Sequence, residues 1–209
     1  YIDLMVNSSF TYAVFGLTFT AFAIGGLDAW LPTFLVGVRG LPEALAARTA
    51  ATLAPAAAAV GLLVGAWAAD LWGRREPRSY FLVAALAAWL ALPCWLATAL
   101  GPTRPWQYGA LFATVALLFA GLGPCFAIVA AAAAPNMRGV ACGATVAVAH
   151  LLGVAWAPRL LQWGAEVFGQ PDAMATPFGR ILAALGAVPR SVGGRPPENV
   201  AAAFLFAAP

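Results

Sequence analysis

Five stretches of this chain run for at least 20 residues without an Asp, Glu, Lys or Arg: Leu4 to Leu27, Thr49 to Ala69, Ser79 to Thr103, Pro105 to Met137 and Gly139 to Pro158. A helix rises about 1.5 Å per residue, so about 20 residues cross a hydrocarbon core of about 30 Å, and each stretch is long enough to span a membrane. Only 9% of the 209 residues are charged and 63% are hydrophobic, against roughly a quarter charged in soluble domains. An ordinary soluble fold is excluded. A sixth apolar run, Asn199 to Pro209, stops after eleven residues, and the chain begins at Tyr1 without a Met. Both ends read as breaks in a longer protein.

Turn residues divide the chain into helices at about 9–36, 43–72, 79–100, 106–134 and 138–168, with a truncated sixth at 198–209. All of them belong to one transmembrane bundle covering residues 1–209, with membrane lipids around it and no soluble second domain. The segment from Asp70 to Arg78 is dense in charge, Gly and Pro, and must lie in water. Residues 168–197 form a connection rich in Gly, Pro and Arg, with a short helix expected from Thr176 to Val188 lying on the membrane surface. Trp72 and Trp106 at helix ends fit an interfacial aromatic belt, whereas Trp67, Trp89, Trp95 and Trp156 fall deeper along their helices.

Small residues recur at every fourth position in Ala57, Gly61, Gly65, Ala69 and Gly73, and again in Gly139, Gly143 and Ala147. That spacing holds them on one helix face, where a neighbouring helix can approach closely and dispersion contacts replace the hydrophobic drive that lipid abolishes. Static packing and a sliding gate are both compatible with such stripes. Prolines interrupt the helices at Pro32, Pro55, Pro93, Pro124 and Pro158. Each removes a backbone donor and frees a carbonyl, which persists in a membrane only where protein or a watery cavity satisfies it.

Asp28 and His150 lie well inside the predicted helices. Asp28 stands about two-thirds of the way along the first helix, and a carboxylate there must face a cavity or partner, take up a proton, or reach the hydrated interface. His150, the sole histidine, falls well inside the fifth helix and can either carry a proton near neutral pH or serve as a hydrogen-bonded packing residue. Cys94, Cys125 and Cys142 lie singly in apolar stretches and read as small packing residues. There is no metal-ligand spacing, nucleophile elbow or phosphate-cradling loop, so no metal, cofactor or catalytic residue is expected and the chain does not read as an enzyme. The net charge of +3 is carried by arginines at helix ends and in loops rather than on one soluble face, which gives no nucleic-acid partner.

The segment Ala66, Trp67, Ala68, Ala69, Asp70, Leu71, Trp72, Gly73, Arg74, Arg75 resembles the loop motif that joins two helices in each half of major facilitator superfamily transporters. In that motif Ala66 replaces a glycine and Leu71 a basic residue. Asn7 to Phe10, Phe22, Gly25, Gly26 and Leu27, and the run Trp30 to Leu35, resemble the seventh helix of spinster-type transporters. Pro135, Arg138, Gly139, Ala141, His150, Leu152, Gly153 and Pro158 resemble the region of their tenth to eleventh helices.

The resemblance implies an all-α membrane protein: the carboxy-terminal half of a major facilitator fold, a six-helix bundle with its last helix truncated, whose partner is the missing amino-terminal half. It further implies a multi-pass protein of a bacterial inner membrane and secondary active transport by alternating access, with a lysolipid or sphingoid-like amphipathic small molecule as substrate. An exporter of drugs or a transporter of small organic anions from the same superfamily is the alternative; a membrane-embedded enzyme or scaffold is the alternative of a different class. Asp28, Trp30, His150 and Gly153 are the candidates for substrate binding or coupling, and Asp70, Gly73, Arg74 and Arg75 for a gating loop. Two departures stand out: Val154 sits where the family often has an acid, and Asp28 where it is usually uncharged.

Overall fold

A computed structural model describes residues 6–74, 76, 78–101, 103–184, 187, 189 and 198–206. All its regular elements are helical. The first helix, α1 (Ser8–Gly37), is capped by Asn7, whose side chain accepts from the backbone N–H of Ser9 at 3.0 Å and of Phe10 at 3.4 Å. That satisfies two of the donors that a helix start leaves without partners. It stops at Gly40, which holds a left-handed φ of 66°, so that the amides of Gly40 and Leu41 fold back onto the carbonyls of Val36 and Leu35. A residue with a Cβ would be strained there. Helix α2 (Glu43–Gly73) follows, then α3 (Ser79–Leu100).

The fourth and fifth spans are not single helices. α4 (Arg104–Ala120) gives way at Gly121 to α5 (Leu122–Ala132), and a short 3-10 turn at Pro135–Met137 leads into α6 (Arg138–Val148). A π-helical segment at Ala149–Val154 comes next, then α7 (Ala157–Val167). In place of one surface helix over 176–188 there are two short ones, α8 (Pro171–Ala175) and α9 (Pro177–Ala184), while Val188 lies outside the described residues. The last described helix is α10 (Val200–Phe206). Counting α4 with α5, and α6 through α7, five spans are long and apolar enough to cross a membrane.

Backbone contact, rather than side-chain bulk, joins α2 to α4. A Cβ built on Gly61 would lie 2.0 Å from the carbonyl oxygen of Ala116, and one on Gly65 would lie 2.0 Å from that of Ala120. The two contacts repeat at one-turn spacing on both helices, and Ala57 and Ala69 complete the buried stripe. Pro124 explains why the Ala120 carbonyl is there to be approached. Lacking an N–H, it cannot bond the carbonyl four residues back, and the Cα–H of Gly65 faces that oxygen instead.

The second stripe behaves differently. Gly139 and Gly143 have open space where a Cβ would stand, and Ala147 is exposed, so this face packs against nothing among the described residues.

α10 docks between α1 and α3. Phe204 stacks on Phe34 with ring centroids 4.0 Å apart and on Trp95 at 4.4 Å, and the Trp95 indole N–H donates to the Phe204 carbonyl at 3.1 Å. Asn199 caps α10 through the N–H of Ala202 at 2.9 Å, and its amide donates to the carbonyl of Ala187 at 2.9 Å. Arg39, in the turn after α1, donates to the carbonyls of Thr98 and Ala99 at the end of α3, where a cation suits the negative end of the helix dipole. Trp67, Trp89 and Trp156 point out of the bundle, whereas Trp95 is wholly buried. Depth along a helix therefore did not predict which face a tryptophan occupies.

Candidate functional site

The packing leaves a cavity of about 620 Å³ among α1, α2, α4 and the π-helical segment. Three features of the chain shape it. The first is a pair of mid-helix prolines: Pro32 in α1 and Pro55 in α2 both line the space. Each lacks the N–H that would take the carbonyl four residues back, which frees the carbonyls of Asp28 and Ala51, residues that line the same space. The second is the run of alanines from Ala47 to Ala58, whose short side chains leave room.

The third feature is the π-helical segment itself. A Cβ on Gly153 would lie 2.6 Å from the Thr18 carbonyl oxygen and 3.0 Å from the Phe22 nitrogen, and one on Gly25 would lie 3.0 Å from the Val154 Cα. The two backbones are thus in contact, and the segment widens at the crossing with a bond from the Ala155 N–H to the His150 carbonyl, five residues back. Single π turns inside α-helices frequently mark functional sites. Here it sets His150 on the cavity wall.

His150 Nδ1 lies 2.9 Å from the Val146 carbonyl oxygen. A carbonyl only accepts, so Nδ1 carries the proton and, in the neutral ring, Nε2 is an acceptor. Asp28 lines the cavity from α1 and has no hydrogen-bond or ion-pair partner among the described residues. Asp28 and His150, the two ionisable candidates for substrate binding or coupling, thus line the same cavity. Trp30 and Gly153 do not line it: Trp30 packs on the apolar core around Leu31 and Phe34, and Gly153 is buried in the contact with α1. Val154 does line it.

Replacing His150 separates a cavity role from a packing role. In the full-length protein, His150→Gln keeps a hydrogen-bonding side chain and His150→Ala removes it. Because the ring bonds only its own helix among the described residues and is exposed, both variants are expected to unfold within about 2–4 °C of wild type, as surface changes do. A larger fall in unfolding temperature for either variant would make His150 a packing residue.

Residues of the loop motif lie at the end of the bundle where α1 begins. The Asp70 carboxylate accepts from the Tyr80 hydroxyl at 3.1 Å, tying the end of α2 to the start of α3. Gly73 sits against the Tyr80 ring, where a Cβ would meet Cε2 at 3.0 Å. Arg74 is exposed, and Arg75 lies outside the described residues. A second cavity of about 620 Å³ opens at this end beside Asn7, Gly73 and Tyr80.

Five apolar helical spans, two pairs of them in backbone contact at glycines, define a multi-pass helical membrane protein. The sequence profile of the Major Facilitator Superfamily matches residues 3–158, and the chain belongs to that superfamily. No significant match is found among curated protein sequences. Among solved structures, a bacterial homologue of the human lysosomal transporter Spinster, inward-facing and unoccupied, superposes with a TM-score of 0.74 at 19% identity over 100% of this chain. The inward-facing, occupied form of a bacterial Spinster homologue gives 0.71 at 22% identity over 88% of this chain. The match covers 44% and 38% of those chains, so this chain spans less than half the length of the structures it resembles. It has the fold of half a facilitator.

Proposed function

We propose that this chain is the carboxy-terminal half of a secondary active transporter of amphipathic, lipid-like molecules, working by alternating access in a bacterial inner membrane. The observation that carries the reading is the cavity: apolar over most of its wall, lined by Asp28 and His150, and bounded by the π-helical break and by two helices that carry Pro32 and Pro55 in mid-course. Small-molecule sites combine an apolar wall with a few placed polar groups in this way, and transporters place such sites where helices are broken. The outward-facing Gly139, Gly143 and Ala147 support a missing partner half, because small residues let a second set of helices approach closely. Asp70, Gly73, Arg74 and Arg75 would then form a gate at one mouth, through the contact of Asp70 with Tyr80.

The test is uptake of a labelled lysolipid and of a labelled long-chain amine by the full-length transporter in proteoliposomes, with and without a pH gradient. Flux of either that depends on the protein and is accelerated by the gradient is the expected result. Flux of neither amphiphile, while a hydrophilic organic anion is carried, would replace the lipid-like substrate by the anion.

A further inference from the structure

The two short helices between the fifth span and α10 are folded against the bundle. Thr176 joins α8 to α9: its hydroxyl donates to the Ala173 carbonyl at 2.6 Å and accepts from the Gly179 N–H at 3.1 Å. Gly179 brings the two helices into backbone contact, since a Cβ there would lie 2.3 Å from the Ala173 carbonyl oxygen. Phe178 packs on Phe168, just past the end of α7, at 5.5 Å between ring centroids, and on Phe206 of α10 at 5.9 Å. Those contacts fix the level of α9. Phe206 stands about 9 Å along α10 from Val200, at about 1.5 Å per residue. Its ring also covers Gly164, within the last turn of α7.

α9 is divided lengthwise. Gly179 and Leu182 are buried against the protein, whereas Phe178 and Ile181, also three residues apart, are 47% and 56% exposed. At about 100° per residue Phe178 and Ile181 share one edge of the helix, and Arg180, which is exposed, points away from it. α9 has 8 residues, fewer than the about 12–15 that an isolated helix needs to be even marginally stable in water. Its packing on the protein is thin, because one of its two buried residues is a glycine. An apolar medium against Phe178 and Ile181 completes it. These side chains sit at the level of the α7 end, where Trp163 is also exposed to the surroundings. An aromatic and an aliphatic on one edge, with arginine on the other, is the arrangement of a helix lying in the membrane interface. We infer that α8 and α9 form a lipid-binding shelf, with Phe178 and Ile181 among the upper acyl chains and Arg180 reaching lipid phosphates. Asn199 ties this shelf to α10: it caps that helix, its amide donates to the Ala187 carbonyl, and the same nitrogen lies 3.6 Å from Met174 Sδ in α8. The shelf requires only that the spans cross a bilayer, and stands apart from the transport reading.

Quenching of a fluorophore on single cysteines tests the shelf, in the full-length protein reconstituted into phospholipid vesicles with its native cysteines replaced. Ile181→Cys and Arg180→Cys are each labelled with an environment-sensitive dye. The label at Ile181 is expected to lose emission to phospholipids that carry a nitroxide high on the acyl chain, and to be little affected by aqueous iodide. The label at Arg180 is expected to show the reverse order. Equal responses at the two sites, or quenching at Ile181 by iodide alone, place α9 in water and overturn the inference. A label at Ile181 that neither quencher reaches overturns it as well, because protein, whether the remainder of the transporter or a second copy, then covers this edge. The companion measurement needs no substitution. A phospholipid with a photoreactive diazirine on its acyl chain is expected to label the wild-type peptide that covers residues 177–184. Labelling of the spans without that peptide overturns the shelf.

Discussion

Placing an alanine at Gly65 is expected to lower the folded yield of the protein sharply, and a leucine to abolish it. The added Cβ would sit 2.0 Å from the Ala120 carbonyl oxygen and 2.6 Å from the Ala120 Cα, so it meets backbone, which cannot rotate away as a side chain can. α2 and α4 would have to separate. That separation would forfeit the contact at Gly61 as well, since both glycines lie on the same face one turn apart and meet Ala116 and Ala120 in the same register. Overpacking ordinarily costs about 1–3 kcal/mol, and a clash with backbone on both helices places this case at about 3 kcal/mol or more. Gly109, on α4, has no atom within 4 Å of the Cβ position and serves as the control, with Gly109→Ala expected within about 0.5 kcal/mol of wild type. Monodisperse yield from size-exclusion chromatography and thermal unfolding in detergent are the measurements. Wild-type values for Gly65→Ala would mean that the two backbones do not touch.

Trp95→Ala is the second large effect, with an expected loss of about 3 kcal/mol. In lipid the hydrophobic term that dominates such a truncation in water is small, so packing and polar contacts carry the loss. Phe204 is sandwiched between Phe34 and Trp95 with interplanar angles of 12° and 14°, and aromatic pairs contribute about 0.5–1.5 kcal/mol each. Removing the indole deletes one pair outright and unseats the other. It also deletes the hydrogen bond to the Phe204 carbonyl, about 0.6 kcal/mol on average in membranes, and leaves a void where a large wholly buried side chain stood. Trp95→Phe keeps a stacking ring and loses the hydrogen bond and part of the volume, so it should fall between alanine and wild type. Protease accessibility of residues 198–206 in the full-length protein gives a readout specific to α10. An unchanged unfolding temperature together with an unchanged cleavage rate for Trp95→Ala would show that α10 is held by something other than this stack.

What the sequence alone determined is local. Charge-free runs of at least 20 residues set the spans, because the demand of lipid for uncharged, internally bonded backbone acts on each segment separately. Gly, Pro and Arg clusters set the turns, and of the five prolines legible inside the helices Pro32 and Pro55 line the cavity whereas Pro93, Pro124 and Pro158 do not. Asp28 and His150 were legible as residues in need of an environment, because an ionisable group within a membrane-spanning helix is costly wherever the chain folds. Only the tertiary structure decided which faces meet. The stripe at Gly61 and Gly65 found its partner in α4, whereas the equally regular stripe at Gly139 and Gly143 found none among the described residues. Of the tryptophans deep along their helices, Trp95 alone turned inward, while Trp67, Trp89 and Trp156 turned out. The π-helical segment that sets His150 on the wall arises where Gly153 meets the backbone of α1, a contact between residues far apart in sequence. In a soluble helix the alternation of polar and apolar faces would have announced these choices. In a membrane bundle the core and the lipid-facing surface are both apolar, so periodicity is silent about direction and close packing between distant segments makes the decision.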